Sequence, residues 1–385
     1  MSRIAIVVPP FTGHINPSVA VGAQLLARGH EAAWIGHASR VEHLLPQGAR
    51  LLPLGEDGPR DLVAQVQERG QQVRGLAGLK FLWEDVLIPL AVNSLAEVEA
   101  RLTEFEPDLV VVDQQALAGM LAARRLGLPW ATQVTTSAGV VEPLAELPKV
   151  LAWRDALLDA VQQQAGLEPQ PQPDLSPAAV IVFSTRELVG AHAPLGAQFH
   201  FVGPALGGRA KDVPFDWAAL QDRPRVLVSL GTVNAKRGAR FYQTVVEALG
   251  GEDLQVILVA PADLRPTLPE NFIGADYVPQ LELLPKVQAV VSHAGHNTVC
   301  EALNESVPLV LTPIKDDQPV VAQQVVDAGA GLRLSFGRLR PAALRQAVRS
   351  VLQDPGYRQA AAAIALSFGR AGGAVRAADL LEGML

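Results

Sequence analysis

The densest group of side chains suited to chemistry lies in the second half of the chain. An apolar run, Val290–Ser292, predicts a buried strand that ends at His293, and a helix is expected to begin near Asn297. Gly295, between these elements, lets the backbone approach a ligand closely. The amide groups at a helix start favour an anion, and His293, Asn297 and Thr298 add side-chain donors. This spacing predicts a phosphate site.

A carboxylate follows the expected helix start at a useful distance. Glu301 lies about one helical turn further on, where it can accept hydrogen bonds from sugar hydroxyls. A phosphate beside a polyol is the ligand that this arrangement would hold. Plainer interpretations stay open, because His293 also fits a strand-end histidine with satisfied ring nitrogens. Glu301 likewise fits an acid that stabilises the first turns of a helix.

The first half of the chain offers a histidine and an aspartate, each next to a predicted strand. His14 lies in the segment Gly13-His-Ile-Asn-Pro17, directly after the first strand, and an imidazole with a pKa near 6.5 suits a general base. Asp113 ends the strand Leu109–Val112 and would emerge at the same sheet edge, where it could orient the ring. From the residues alone, His14 also fits a packed loop residue and Asp113 a helix N-cap.

Repeated strand–helix alternation supplies the elements that position these residues. In the first half, Asn16 is expected to cap a helix that begins with Pro17 and stops at Gly29. The predicted strands of this half are Arg3–Val8, Glu31–Ile35, Leu109–Val112, Trp130–Val134 and Ala179–Phe183. This order is typical of an α/β domain with a parallel sheet and helices on both faces.

The alternation restarts after a stretch rich in turn-forming residues. The second set of predicted strands is Arg225–Leu230, Leu254–Ala260, Ala289–Ser292 and Leu309–Leu311. We expect an N-terminal domain over 1–203, a linker over 204–223 and a C-terminal domain over 224–370. A last helix over 371–385 is expected to pack back on the N-terminal domain. Parallel sheets bind ligands beyond the carboxyl ends of their strands, so two facing domains would form a cleft for two substrates.

Composition and missing motifs exclude several classes of protein. The 385 residues carry a net charge of −7, which argues against nucleic-acid binding, and the single cysteine excludes a disulfide framework. No G-x-G-x-x-G or P-loop motif supports a nicotinamide or ATP site. The absence of an Asp-x-Asp pair argues against a metal-bridged diphosphate. No export signal or apolar run of about 18 residues is visible, so a cytoplasmic protein without a transmembrane segment is expected.

The segment from Tyr277 to Gln318 resembles the donor-binding signature of family 1 glycosyltransferases, and the whole chain fits their two-domain GT-B layout. The resemblance implies that Tyr277 stacks on a nucleotide base and that Gln280 lies near the base and ribose. It also implies that the diphosphate is bound by His293, Asn297 and Thr298. The ribose would be bound by Glu301, and the transferred sugar by Asp317 and Gln318. Gly295 and Val278 complete this donor site, and Gly231 and Thr232 match a second phosphate loop. Asp317 and Gln318 also fit a cap of the following helix.

Two departures from the plant members indicate a bacterial enzyme of antibiotic biosynthesis. Tyr277 stands where plant enzymes have tryptophan, and Ala294 replaces a more usual glycine or cysteine. The choice between a UDP-sugar and a dTDP-sugar stays open. The resemblance implies an inverting transfer of a hexose, with His14 as general base and Asp113 as its support. It requires neither a metal nor a cofactor.

The acceptor site is less clearly marked. Phe81, Trp83 and Ser137 are candidates for it, although aromatic residues at helical spacing usually belong to a core and Ser137 also fits a strand end. We expect a small apolar acceptor, such as a polyketide, macrolide, flavonoid or carotenoid. Alternatives are a transferase for dTDP-deoxysugars, a hydrolysing nucleotide-sugar epimerase and a silent nucleotide-sugar-binding homologue. A homodimer is a further expectation.

Overall fold

The chain divides into two compact units. The first comprises Met1–Thr185, His192–Ala210 and Ala371–Leu385, and the second comprises Arg186–Ala191 and Lys211–Arg370. The computed structural model describes residues 1–46, 48–55, 75–141, 144–145, 147–190, 195–207, 213–235 and 238–385, except for the side chains at 232 and 233. The division differs from the expected boundaries, because the segment predicted as a linker is shared between the units. Residues 186–191 join the second unit, where Leu188 enters the hydrophobic core.

The first unit contains a seven-stranded parallel sheet in the order β3-β2-β1-β4-β5-β6-β7. Its strands are β1 (Arg3–Val7), β2 (Glu31–His37), β3 (Arg50–Leu54), β4 (Leu109–Asp113), β5 (Trp130–Val134), β6 (Val180–Val182) and β7 (Phe199–Phe201). The predicted parallel sheet is therefore confirmed. Two of its strands, β3 and β7, were not predicted.

Helices cover both faces of this sheet. They are α1 (Thr12–Ala27), α2 (Ala38–Val41), α3 (Leu76–Phe81), α4 (Ile88–Phe105), α5 (Leu117–Leu126) and α6 (Pro148–Gln164). A π-helical stretch, Leu82–Leu87, continues α3 into α4, and short 3₁₀ turns span Glu42–Leu44 and Ser137–Gly139. One face packs in a core that contains Leu102, Phe105 and Leu121, and the other in a core that contains Trp34 and Leu25.

Helix α1 begins earlier than its sequence predicted. Asn16 does not cap it, because Phe11 is the extended residue before the helix and its carbonyl accepts from the N–H groups of His14 and Ile15. Pro17 lies in the second turn, where its ring cannot donate to the carbonyl of Gly13. His14 consequently lies in the first turn of a helix and not on a loop.

The second unit contains a six-stranded parallel sheet in the order β10-β9-β8-β11-β12-β13. Its strands are β8 (Arg225–Ser229), β9 (Gln255–Val259), β10 (Phe272–Ala275), β11 (Ala289–Ser292), β12 (Leu309–Leu311) and β13 (Gly331–Arg333). The four predicted strands of this half are present. The strands β10 and β13 are additional.

The helices of the second unit begin with one that precedes its sheet. They are α7 (Arg186–Val189), α8 (Gly231–Asn234), α9 (Ala239–Leu249), α10 (Gln280–Leu283), α11 (His296–Asn304), α12 (Gln318–Asp327), α13 (Pro341–Gln353) and α14 (Pro355–Ala371). Short 3₁₀ turns lie at Trp217–Ala219, Ala262–Leu264, Leu284–Lys286 and Phe336–Arg338. Nowhere in the described part of the chain is a helix long and apolar enough to cross a membrane.

The last helix, α15 (Gly373–Glu382), belongs to the first unit and packs on α1. Leu381 is fully buried in the core that also holds Trp34. At the rim of this contact, Arg28 donates to Asp379 at 2.8 Å and to Glu382 at 2.6 Å. Glu382 also lies 2.9 Å from the imidazole of His30. The chain thus closes the first unit with its final residues.

Candidate functional site

A histidine–aspartate pair lies at the carboxyl edge of the first unit's sheet. Strand β1 leads into α1, and its neighbour β4 ends on Asp113. This arrangement places Nδ1 of His14 2.9 Å from Oδ1 of Asp113, although the two residues are 99 positions apart. The Asp113 side chain is fully buried, while 17% of the His14 side chain is exposed. The imidazole is therefore the part of the pair that solvent reaches.

The contacts of the pair determine which imidazole nitrogen carries the proton. An ionised carboxylate only accepts hydrogen bonds, so Nδ1 of His14 must donate to Asp113. Nε2 then carries the lone pair that can take a proton from another molecule. The backbone N–H of Gln115 donates to the same carboxylate oxygen at 2.9 Å and fixes its direction. The geometry fits a general base with its supporting acid.

Thr135 is a third member of this group that the sequence analysis did not single out. Its hydroxyl oxygen lies 2.8 Å from Nδ1 of His14 and 3.3 Å from Oδ2 of Asp113. The available signal was its position directly after β5, which is the neighbour of β4 in the sheet. The residue types alone did not distinguish it from the adjacent Thr136.

Close packing of α1 on β2 determines where His14 lies. Trp34 of β2 is fully buried, and its indole N–H donates to the hydroxyl of Ser18 at 3.0 Å. A Cβ atom on Gly22 would lie 2.2 Å from the Trp34 ring, so only glycine lets the helix approach this closely. The histidine is thus positioned by a rigid helix–sheet contact.

In the second unit, two glycines enclose the ring of His293. A Cβ atom on Gly231 would lie 2.8 Å from the ring, and one on Gly295 would lie 2.6 Å from it. Gly231 also has a positive φ of 65°, which favours glycine. From the sequence, Gly295 is expected to let the backbone approach a ligand, and Gly231 matches a second phosphate loop. The structure shows that they also make room for the imidazole.

The surroundings of His293 keep its ring neutral. Burial lowers the pKa of His293 to about 4, although the nearby charge of Asp317 and a backbone hydrogen bond to Ser229 act in the opposite direction. Part of the residue still has an accessible surface, while the ring lies close against the backbone of Gly231 and Gly295. At neutral pH the imidazole therefore offers hydrogen bonds and no positive charge.

The start of α11 has the features expected of an anion site. Gly295 precedes the helix in an extended conformation, and the first turn contains no acidic side chain that would offset the helix dipole. Asn297 and Thr298 lie in this turn and are half-buried.

Further along α11, Cys300 is buried against His296, and burial raises the pKa of its thiol far above the usual range. That cysteine is not a nucleophile.

Two of the residues expected to bind the nucleoside, Gln280 and Glu301, are in contact. Nε2 of Gln280, at the start of α10, donates to Oε2 of the buried Glu301 at 2.6 Å. Tyr277 is 62% exposed, so a face of its ring is open to a planar ligand. The side chain of Val278 lies in the hydrophobic core, which leaves only its backbone for a ligand.

Of the two residues expected to bind the sugar, Gln318 has another task in the structure. The side-chain oxygen of Gln318 accepts from the backbone N–H groups of Ile314 and Lys315, at 2.9 and 3.1 Å. Its amide NH₂ group is the part left to contact a ligand. Asp317 directly precedes α12 and is half-buried, but its carboxylate makes no cap hydrogen bond to that helix. The interpretation as a helix cap is therefore not supported for Asp317.

The acceptor candidates occupy three different environments. Phe81 ends α3 and is half-buried. Trp83 lies in the π-helical stretch, half-buried against the core. Ser137 is fully buried at the start of a 3₁₀ turn.

The side chain of Thr232, predicted to bind phosphate, lies outside the described residues. Among the residues that the structure describes, no group of three or more His, Cys, Asp or Glu side chains could hold a metal ion.

Comparisons with known proteins identify the family to which this chain belongs. Residues 243–368 match the model of the erythromycin biosynthesis protein CIII-like C-terminal domain. The NDP-glycosyltransferase YjiC of Bacillus licheniformis is 30% identical, over 100% of this chain and 98% of its own. The 4'-demethylrebeccamycin synthase of Lentzea aerocolonigenes is 28% identical over the full length of both. A solved glycotransferase of kitacinnamycin is 28% identical with a TM-score of 0.79, over 100% of this chain and 99% of that one.

The two parallel-sheet units are those of a GT-B glycosyltransferase, as the sequence predicted. The chain belongs to the family 1 glycosyltransferases of the macrolide type. It is an enzyme of the glycosyltransferase class, and its relatives include enzymes of antibiotic biosynthesis.

Proposed function

We propose that this enzyme transfers a hexose, with glucose as the first candidate, from a UDP- or dTDP-sugar to a hydroxyl of a small apolar acceptor. The observation that carries the proposal is the 2.9 Å contact between His14 and Asp113. The names of two relatives, which mention demethylrebeccamycin and kitacinnamycin, support a natural-product acceptor. We further expect a cytoplasmic enzyme and a homodimer.

In the proposed mechanism, Nε2 of His14 takes the proton of the acceptor hydroxyl, and Asp113 stabilises the imidazolium that forms. The acceptor oxygen forms a bond to the anomeric carbon on the face opposite the leaving diphosphate. The bond from that carbon to the diphosphate oxygen breaks, and the oxygen keeps the electron pair. The configuration at the anomeric carbon therefore inverts.

Charge that develops on the leaving diphosphate needs stabilising groups. The N-terminal amides of α11 and the side chains of Asn297 and Thr298 are the proposed donors, while His293, whose one N–H already donates to the Ser229 carbonyl, would lie beside them. Because the imidazole of His293 is neutral, the electrostatic part of this task falls to the helix start. We propose that transfer needs no divalent cation, and activity in excess EDTA tests this.

The sugar assignment depends on Asp317 and Gln318. A deoxysugar would leave a polar side chain of the site unpaired, which costs about 1–3 kcal/mol for each lost contact where that side chain is buried. On Gln318 only the NH₂ group remains for this purpose, so the dTDP-deoxysugar alternative stays open. Turnover of UDP-glucose, dTDP-glucose and a dTDP-deoxysugar, compared under one set of conditions, distinguishes them.

Substitution of His14 tests the central assignment. The variant His14→Ala should transfer sugar about 10² to 10⁴ times more slowly, because no other group takes the acceptor proton. Binding of UDP or dTDP, measured by calorimetry, should stay within about twofold, because His14 belongs to the other unit. The control His43→Ala removes an exposed histidine of the same unit and should leave the rate unchanged.

Full turnover by His14→Ala would refute the general base. Equal consumption of the donor with and without acceptor would instead indicate the epimerase alternative. A thermal-shift panel of UDP, dTDP, GDP, ADP and NAD comes first, because a ligand at 100 times its Kd adds about 2.7 kcal/mol of stability. No shift with UDP or dTDP would count against the donor site.

A further inference from the structure

Thr135 lies where the strands of the first unit bring three polar side chains together. It follows β5 directly, and the register pairs Asp113 of β4 with Gln133 of β5. Side chains alternate along a strand, so positions 133 and 135 share a face of the sheet with Asp113. Helix α1, which carries His14, covers this face. Thr135 is only 5% exposed, so its hydroxyl needs partners inside the protein.

Counting protons and lone pairs assigns the role of each atom. The Thr135 hydroxyl oxygen is 2.8 Å from Nδ1 of His14 and 3.3 Å from Oδ2 of Asp113. If the hydroxyl donated to Nδ1, the lone pair of that nitrogen would face the carboxylate oxygen 2.9 Å away, and two acceptors would repel each other. The consistent arrangement has Nδ1–H shared between Asp113 and the hydroxyl oxygen, while the hydroxyl donates to Oδ2.

The two carboxylate oxygens of Asp113 are not held equally. Oδ1 receives the imidazole N–H and the backbone N–H of Gln115. Within the described part of the chain, the one donor to Oδ2 is the Thr135 hydroxyl. Since the carboxylate is fully buried, loss of that donor would leave one oxygen without compensation for its lost hydration.

We propose that Thr135 is a positioning residue for the general base. This inference rests on the proposed function of His14. The threonine hydroxyl holds the Asp113 carboxylate in the plane that meets Nδ1, and its oxygen gives Nδ1–H a second acceptor. Both contacts keep the proton on Nδ1 and stop rotation of the imidazole. Nε2 therefore stays ready to take the acceptor proton, without any contact between Thr135 and a substrate.

Two substitutions at position 135 separate the hydroxyl from the shape of the side chain. Thr135→Val keeps the branched shape and removes the hydroxyl, so kcat should fall about tenfold to a hundredfold. The KM of the nucleotide sugar should stay within about twofold, because donor binding belongs to the second unit. Thr135→Ser restores the hydroxyl and should return kcat to within about threefold of the wild type. A merely structural role would give no such rescue.

A measurement without substrates tests the same inference independently of activity. In the protein labelled with ¹⁵N-histidine, the Nδ1–H proton of His14 should be visible by NMR and protected from exchange, and His14→Ala identifies its signal. Thr135→Val should lose or broaden this signal, and Thr135→Ser should retain it. The matched control Thr136→Val removes a neighbouring hydroxyl that accepts from the N–H of Ala138, and it should leave the signal unchanged.

The outcomes distinguish the inference from the proposed function. Full kcat and an unchanged signal in Thr135→Val would overturn the positioning role, even if His14→Ala is inactive. A lost signal in Thr135→Val together with full activity of His14→Ala would refute the general base and retain the positioning contact. If Thr135→Val does not fold, Thr135→Ala against Thr135→Ser gives the same comparison.

Discussion

His293 carries no charge at neutral pH, and this changes how the proposed diphosphate site works. The ring lies between two glycines, and burial lowers its pKa to about 4. A neutral imidazole has a single N–H, which here donates to the backbone carbonyl of Ser229, and its other ring nitrogen can only accept. The attraction for an anion must then come mainly from the amides at the start of α11.

This buried histidine predicts a pH dependence of stability. In the unfolded chain the imidazole binds a proton below about pH 6.5, whereas in the folded chain it does so only near pH 4. The unfolded state therefore binds more protons in this window, and the stability of the second unit should fall as the pH drops from about 6.5 to 4. Chemical denaturation of the wild type and of His293→Asn measures this, and the variant should lose less stability.

The signal of His293 in a ¹⁵N NMR titration provides the direct check. It should stay at its neutral position between pH 8 and 5. A midpoint for His293 near 6.5 would contradict the buried, neutral ring.

Residue types and spacing predicted candidate residues but not the hydrogen bonds that these residues make. The proposed donors near α11 followed from a strand end, a glycine and a helix start, all close in sequence. Thr135 depended on a register between strands, and the hydrogen bonds of the Gln318 oxygen depended on the shape of a loop. These contacts are set by tertiary packing, which local patterns do not encode.

Edge strands show the corresponding limit at the scale of elements. Every predicted strand is an interior strand of its sheet, and the unpredicted strands β3, β7, β10 and β13 are the edges. Interior strands such as β4 and β11 are buried along their whole length, so they appear as continuous apolar runs. An edge strand pairs on one side only, and β7 is half-buried throughout. Its apolar signal is correspondingly weak.

The fit between α1 and β2 gives a prediction for this scale. Gly22→Ala places a methyl group about where the ring of the fully buried Trp34 lies, so helix or ring must move. We expect a loss of about 1–3 kcal/mol in stability. The displaced helix should also lower kcat through His14. Denaturant titration and steady-state kinetics measure the two effects.

The matched control is Gly369→Ala in α14. A Cβ atom at this exposed helical glycine meets no atom within 4 Å, so the change should be neutral or stabilise by about 0.5–1 kcal/mol. Equal stability of Gly22→Ala and the wild type would show that α1 does not depend on this contact.

At the scale of the whole molecule, α15 is part of the first unit's core. Ala377, Ala378 and Leu381 are fully buried beside α1. Leu381→Ala should therefore destabilise the first unit by about 2–5 kcal/mol, because it leaves a cavity under the helix. Val375→Ala, at a half-exposed position of the same helix, should change stability by less than about 0.5 kcal/mol.

Urea titration followed by tryptophan fluorescence reports mainly on this unit, because four of the five tryptophans, Trp34 among them, lie in it. A Leu381→Ala midpoint equal to that of Val375→Ala would mean that the last helix adds nothing to the core.

The return of the chain to its first unit also has a consequence for synthesis. A ribosome makes the N-terminus first, so α1 and its sheet emerge while α15 does not yet exist. Until residues 371–385 leave the ribosome, α15 does not cover the apolar surface against which Leu381 later packs. The first unit therefore completes its folding after the second unit has been made. During that interval the nascent enzyme exposes an apolar surface that a chaperone can occupy.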